Sequence, residues 1–374
     1  MFNFTAIARR YRSFQRHIRE SRMIAQAIKS HFHPILVHLI PMRRCNLACT
    51  YCNEFDNFSA PVPTSELLHR IDLLSRLGSA NIHLSGGEPL LHPDIIKIIK
   101  YIHDSGILSG LLTNGYLLTK GLICDLNNAG LDYLQISVDN VSPDESSMKS
   151  LKVLDKKLQW LAEYAEFEVS INSVIGFSVK DPKDAVQVSR RVAELGLKST
   201  VGIIHDHEGQ LQPLNEETQR AYEEAVSVRG KSFANVAYYN QFQKNLIHGL
   251  PNQWHCRAGS RYLYVCEDGL VHYCSQQRGY PGIPLEKYTI KDLERENKAV
   301  KSCAPYCTIS CVHRVASIDH VRERPFEALN NFFPPGEVSM PAIVRLLKWT
   351  FLSPNPGFHQ RALKRAARKF FRVA

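Results

Sequence analysis

Ile35-Leu36-Val37-His38-Leu39-Ile40, just after Pro34, reads as a short β-strand. Five residues beyond Ile40 begins Cys45-Asn46-Leu47-Ala48-Cys49-Thr50-Tyr51-Cys52, three cysteines at C-x3-C-x2-C spacing. Further β-rich runs follow at Asn81 to Leu84, Leu108 to Thr113, Tyr133 to Val138, Phe167 to Val174 and Val201 to Ile204. Stretches with helical periodicity, such as Ser65 to Leu77 and Asp94 to His103, lie between them. Alternation of this kind predicts a parallel sheet, and six units of about 28 residues make either a doubly wound sheet or an incomplete barrel. In both, the loops after the strands' carboxyl ends carry the chemistry, and the three cysteines stand on the first of them.

The spacing is not accidental. With ten cysteines in 374 positions, any given three-cysteine spacing is expected roughly 0.007 times by chance. Three thiolates on a short loop can hold three irons of a cubane cluster and leave the fourth open to a ligand. A structural zinc knuckle needs four protein ligands, and the loop offers no fourth Cys or His.

Taken together, these residues resemble the radical S-adenosylmethionine superfamily, whose signature is C-x3-C-x2-C with an aromatic residue, here Tyr51, before the last cysteine. Ser85-Gly86-Gly87-Glu88-Pro89 after the second strand resembles the family's GGEP motif, and Thr113-Asn114-Gly115 matches an element of the third unit. Ser137-Val138-Asp139 is similar to the stretch that binds the cofactor's ribose, and Asn172 lies where the family places another contact. The resemblance covers about residues 34–206. It implies a partial (β/α)6 TIM-like barrel with a 4Fe-4S cluster on Cys45, Cys49 and Cys52. The cofactor-binding residues it implies are Tyr51, Gly86, Gly87, Glu88, Asn114, Ser137, Asp139 and Asn172. It also implies that an electron from a donor such as flavodoxin or ferredoxin cleaves S-adenosylmethionine to methionine and a 5′-deoxyadenosyl radical, which takes hydrogen from a substrate.

A second cysteine group follows: Cys256, then Gly269-x4-Cys274, then Cys303-x3-Cys307-x3-Cys311. It resembles an abridged SPASM or twitch extension, which implies one auxiliary 4Fe-4S cluster held by Cys256, Cys274 and two of Cys303, Cys307 and Cys311. Zinc is the alternative for this group. A hairpin turning near Asp268 sets Cys274 opposite residue 262, leaving Cys266 about 13 Å up the ladder at ~3.3 Å per residue. Cys124, alone on a helical pattern, reads as an inert core residue.

The net charge of +10 sits at the ends of the chain. Residues 1–44 hold nine Lys/Arg and one acid, residues 338–374 hold eight and none, and about −6 remains for the body between. A nucleic-acid channel through the body is therefore not expected. Ile7, Tyr11, Phe14 and Ile18 lie at helical spacing with Arg9, Arg12, Arg16, Arg19 and Arg22 mostly off that face. Phe358, Ala362, Ala366, Phe370 and Phe371 repeat the pattern against Arg361, Lys364, Arg365, Arg368, Lys369 and Arg372. Two readings stand for these basic amphipathic helices: packing on the body, or lying on an anionic membrane. With 44% hydrophobic residues, no spanning stretch and no secretory signal, the expected setting is the cytoplasm, peripheral to the inner face of the membrane.

Four segments are expected: a basic N-terminal helix (1–33), the barrel (34–214), a cysteine-rich hairpin and helix unit (215–325) and a basic tail (338–374). Among weaker signals, His205-Asp206-His207-Glu208 reads as a solvated loop at the active-site end. His38 and His83 read as packed, hydrogen-bonded core residues, and Trp254 and Tyr273 as cover for the second cysteine group. Lipid modification is placed slightly ahead of peptide maturation, because the basic ends suit a membrane-borne substrate. A non-catalytic metal-binding scaffold at a membrane is the reading from another class.

Overall fold

All seven residues of β1 (Leu36–Met42) are buried, which is what a strand flanked on both sides and covered on both faces requires. The computed structural model describes residues 4–176, 179–206, 210–228, 242–324, 327–328, 342–353, 355 and 357–371. After α1 (Phe4–Lys29) and β1 the chain alternates α2 (Thr64–Arg76), β2 (Asn81–Gly86), α3 (Ile95–Asp104), β3 (Leu108–Thr113), α4 (Lys120–Asn128) and β4 (Tyr133–Ser137). It continues through α5 (Leu151–Tyr164), β5 (Glu168–Gly176), α6 (Lys183–Glu194), β6 (Lys198–Ile204) and α7 (Glu216–Val228). Strand order is β6-β5-β4-β3-β2-β1, each pair parallel. The helices cover one face through apolar stripes, as when α3 buries Ile95, Ile98, Ile99 and Ile102 at i, i+3, i+4 and i+7.

The cysteine-rich segment is continuous with this sheet. β7 (Tyr262–Val265) pairs parallel with β1, and β8 (Leu270–His272) and β9 (Pro281–Pro284) extend the sheet antiparallel to nine strands. The sheet runs from β6 to β9 without closing, the arrangement of a partial barrel. Helices α8 (Ile290–Lys298) and α9 (Ser310–Glu323) follow, then α10 (Ala342–Leu352) and α11 (Phe358–Phe371), which pack on each other.

Several expectations fail here. β6 begins at Lys198 rather than Val201, because its polar first residues still pair with β5 from Ser170 onward. Cys124 is exposed rather than in the core: α4 turns Ile123 and Leu126 inward and leaves Cys124 on its outer side. The face expected to be apolar on α1 is also reversed relative to packing on the body. Tyr11 and Phe14 are 62% and 63% exposed, whereas Arg16 is only 7% exposed.

Arginines hold α1 because it crosses the end of the barrel where the sheet's strands begin and its helices finish. Arg9 donates to the carbonyls of Ala162 and Glu163 at 3.0 Å, capping α5. Arg12 donates to Asn127 O at the end of α4 and pairs with Glu166 at 2.5 Å. Arg16 pairs with Glu168 at 3.6 Å, and Arg19 with Asp132. Helix carboxyl ends carry partial negative charge, and these guanidiniums compensate it. The side chains of Ile7 and of all residues after 365, like the whole of His207 and Glu208, lie outside the described residues.

A buried ionic knot ties the other end of α1 to the cysteine-rich segment. Asp319, fully buried on α9, has Arg261, Arg322 and Arg257 around it at 3.3, 3.2 and 3.4 Å. Arg261, also fully buried, donates to Ala27 O, Ser30 O and His33 O. Burial drags its guanidinium down to about 10, and the same burial raises Asp319. Neither Asp319 oxygen has a hydrogen-bond partner among the described residues, so these pairs act through charge. Asp319→Ala leaves the buried arginines uncompensated and is expected to cost about 3–5 kcal/mol in urea unfolding. A loss below roughly 1 kcal/mol would refute this assignment.

Burial depresses His38 to about 4, His313 to about 3 and His83 well below 6.5. These imidazoles are neutral when folded and protonate once unfolded, so below 6.5 the unfolded chain binds more protons. The thermal midpoint is therefore expected to hold above neutrality and to fall as pH drops from 6.5 toward about 4. A flat profile over that window would contradict it.

Candidate active site and cysteine groups

The cysteine loop leaves the carboxyl end of β1 and is pinned by backbone bonds: Gly87 N to Met42 O at 3.2 Å, Glu88 N to Arg44 O at 3.0 Å and Cys45 N to Asp56 O at 3.1 Å. Glycine is required at both positions of this contact. A Cβ on Gly87 would lie 2.1 Å from Arg43 O and 2.4 Å from Arg44 O; one on Gly86, at φ +115°, would lie 2.7 Å from Met42 O. The glycines thus admit the backbone of the cysteine loop itself.

Glu88 is fully buried and accepts from Thr113 Oγ1 at 2.7 Å, Asn114 N at 2.8 Å and Leu90 N at 3.0 Å. Burial raises its carboxyl, and these three donors oppose the rise. It fixes the turn after β3, and that turn presents Asn114. The Asn114 amide donates to Asn46 Oδ1 at 2.7 Å and lies 3.7 Å from Cys45 Sγ.

Asp139 follows Ser137 at the end of β4, and Ser137 stands in register with Asn172 on β5. Thr200 Oγ1 donates to Asn172 Oδ1 at 2.8 Å. Asp139 is buried and accepts on Oδ2 from Tyr51 OH and from Ser147 Oγ at 2.6 Å, with Lys149 Nζ at 3.0 Å. Its Oδ1 is buried without a hydrogen-bond partner among the described residues. Lys149 also donates to Tyr51 OH at 2.6 Å, and Ser147 Oγ lies 3.7 Å from Cys49 Sγ. Asp139 and Tyr51 raise the Lys149 ammonium well above its ordinary value against the opposing effect of burial. Sequence reasoning missed Lys149 and Ser147, since a lone lysine in a serine-rich loop carries no motif.

The three-cysteine loop also meets the cysteine-rich segment. Tyr264 OH donates to Glu54 at 2.8 Å, and Asn53 Nδ2 to Gln276 Oε1 at 3.3 Å. His205 is half-buried against Gln276, and Asp206 is buried and accepts from Gln210 N and Gln212; neither belongs to a solvated loop. His38 and His83 stack at 5.7 Å inside the barrel, but His83 Nε2 lacks a hydrogen-bond partner among the described residues.

In the second group, Cys307 is pushed up by burial and then by the nearby thiols of Cys274, Cys256 and Cys303. Burial takes Cys256 to about 11, with Cys303 adding to it, and Cys274 to about 12, with Cys256 and Cys311 adding to it. Cys311 is taken to about 11 by burial, opposed by a hydrogen bond from Tyr262. Trp254 and Phe242 sandwich His313 at 3.6 and 4.1 Å; its Nε2 donates to Cys307 O at 3.0 Å, and Trp254 donates to Ala304 O at 2.7 Å. Tyr273 donates to Glu296.

In the first loop, burial raises Cys45 and takes Cys52 to about 11, so iron binding there must displace protons. Tetrahedral zinc at Zn–S of about 2.3 Å brings sulfurs to roughly 3.8 Å of each other. Among the described residues the trio of Cys, His, Asp or Glu ligand atoms within 4.8 Å of one another is Cys266, Asp268 and His272, not one from either cysteine group. Even that trio does not suit a metal. His272 Nδ1 accepts from Gly279 N at 2.8 Å, so a neutral ring keeps its proton on Nε2, and Arg278 donates to Cys266 Sγ at 3.1 Å.

Residues 39–210 match the Radical SAM superfamily. The chain carries a radical SAM domain. Its relatives include PqqA peptide cyclase of Ruegeria pomeroyi, 26% identical over 67% of this chain and 70% of that one. AdoMet-dependent heme synthase of Methanosarcina barkeri is 30% identical over 41% of this chain and 45% of its own length. A crystal structure of Streptococcus suis SuiB bound to precursor peptide SuiA superposes with TM-score 0.52 at 13% identity, covering 84% of this chain and 78% of that one, a likeness of fold. The chain is therefore an iron–sulfur enzyme of the radical SAM type, a family that uses S-adenosylmethionine and a 4Fe-4S cluster.

Gly87→Ala is expected to force the cysteine loop off β2. Iron bound by the first loop should fall to less than half, while far-ultraviolet circular dichroism stays unchanged. Full iron retention would show that the close contact is dispensable.

Proposed function

We propose that the chain binds a catalytic cluster through Cys45, Cys49 and Cys52, S-adenosylmethionine beside it, and one auxiliary cluster through Cys256, Cys274, Cys303 and Cys307, and that it takes hydrogen from a peptide substrate. When bound, the cluster and S-adenosylmethionine together supply an electron and a 5′-deoxyadenosyl radical. The observation carrying this reading is the convergence of the β1, β2, β3 and β4 carboxyl ends on the cysteine loop, with β5 paired beside β4. Asp139 keeps one buried oxygen free as an acceptor, Ser137 and Asn172 add polar groups beside it, and Asn114 presents an amide near Cys45. Tyr51, Gly86, Gly87 and Glu88 hold that frame, and Lys149 neutralises Asp139. A one-electron donor of the flavodoxin or ferredoxin kind completes the set.

The four auxiliary ligands are chosen because the thiols of Cys274, Cys256 and Cys303 all act on Cys307, whereas Cys311, though near Cys274, accepts a hydrogen bond from Tyr262. A peptide substrate is favoured by the PqqA peptide cyclase that aligns over 67% of the chain. A lipid substrate is the second reading. It rests on α10 and α11, where Leu346, Trp349, Phe358 and Leu363 are exposed and residues 342–371 contain no acid. No helix among the described residues is long and apolar enough to cross a membrane. Attachment at an anionic membrane surface therefore belongs to this proposal as peripheral binding.

Anaerobic protein is expected to hold about eight irons, and Cys303→Ser about four, while Cys311→Ser keeps about eight. Stoichiometric zinc, or four irons lost in Cys311→Ser with none lost in Cys303→Ser, would contradict the assignment.

A further inference from the structure

A helix on a soluble domain ordinarily buries its apolar stripe; α1 does the reverse. Arg9, Arg12, Arg16 and Arg19 face the body, each on an acid or a helix-end carbonyl. Tyr11, Phe14, Ile18, Ile24 and Ile28 are left exposed, together with Arg10, Arg22 and Lys29. The one acid of the helix, Glu20, accepts from Tyr133 and pairs with Arg16, so it is held on the inner side. The outward face is thus apolar and basic without an opposing charge, over a helix length of about 26 Å from Tyr11 to Ile28 at ~1.5 Å per residue. An anionic bilayer surface complements both properties: acyl chains take the aromatic and isoleucine side chains, and headgroups take the arginines.

We propose that this outward face of α1 docks the enzyme on an anionic membrane and turns the cysteine-bearing end of the barrel away from the bilayer. The inference rests on the membrane attachment proposed above and narrows it to one element and one orientation. The orientation follows from topology. α1 is fixed at Asp132 and Glu168, where β4 and β5 begin, while the cysteine loop follows the opposite end of the parallel β1. Strands of five to nine residues separate the two ends by roughly 20 Å at ~3.3 Å per residue. A substrate then reaches the site from the aqueous side, which suits a peptide and not the acyl region of the bilayer that holds the enzyme.

The test uses the full chain with vesicles of phosphatidylcholine, with and without phosphatidylglycerol, the latter also doped with a lipid bearing a photoactivatable acyl chain. The wild type is expected to float only with phosphatidylglycerol and to be released by salt. The triple variant Tyr11→Gln, Phe14→Gln, Ile18→Gln should partition at least tenfold less while keeping its unfolding midpoint, since these side chains are exposed. Photolabel should appear on residues 9–29 and not on residues 43–60. No flotation of the wild type overturns both the membrane reading and this inference. Equal flotation of wild type and triple variant overturns this inference alone and assigns attachment to α10 and α11. Label on residues 43–60 overturns the orientation. A dimer that the triple variant abolishes, without vesicle binding, assigns the face to a second copy and overturns the proposal.

Discussion

The close approach of the Gly86-Gly87 backbone to the carbonyls of Met42, Arg43 and Arg44 is the contact on which the site depends. It joins the end of β2 to the loop that carries Cys45, Cys49 and Cys52, and it leaves no room for a side chain. Glu88, immediately beyond, carries the constraint to the next strand by gripping Thr113 and Asn114. Three strand ends are thereby locked to one loop through backbone groups and the Glu88 carboxylate, and the functional side chains inherit their positions from that frame. Preorganisation of this kind lets polar groups wait for a charged cofactor without rearranging.

Charge placement is the second organising feature. Lys149 sits between Asp139 and Tyr51, and Asp319 among three arginines, so each buried charge has an opposite partner. The Asp319 knot joins α1, the start of β1 and α9, and so couples the N-terminal helix to the segment with the second cysteine group. β1 completes that coupling from within the sheet, paired with β2 on one side and β7 on the other. The two cysteine groups are therefore parts of one sheet-linked unit, with Tyr264 on β7 reaching Glu54 beside Cys52.

Much of this was legible in the sequence because periodicity and motif order are local properties. The six β/α units, the cysteine loop after β1 and the GGEP, Asn114 and Asp139 stretches all appear in order along the chain. The hairpin register was legible too, since Val265 pairs with Val271 about the turn at Asp268. What escaped depends on partners distant in sequence. Glu88 reads as a cofactor contact until the buried donors that hold its carboxylate are seen at the end of β3 and on the turn after it. Lys149 acquires meaning only when its loop folds back over Tyr51. The α1 stripe gives the right face but leaves its side open, because periodicity does not reveal that the ends of α4 and α5 offer carbonyls for arginines. Cys124 failed for a related reason: a lone cysteine has no pattern to orient it, and α4 already had Ile123 and Leu126 to bury.

The central claim is that the residues gathered around the β1 loop support reductive cleavage of S-adenosylmethionine. The most direct measurement is 5′-deoxyadenosine formed from S-adenosylmethionine by the anaerobically reconstituted, dithionite-reduced protein, compared with the Cys45→Ala, Cys49→Ala, Cys52→Ala variant. The account predicts formation by the wild type and none by the variant, even though the variant retains the iron bound at Cys256 and Cys274. Equal formation by both proteins, or none by a wild type that carries its full iron, would contradict it.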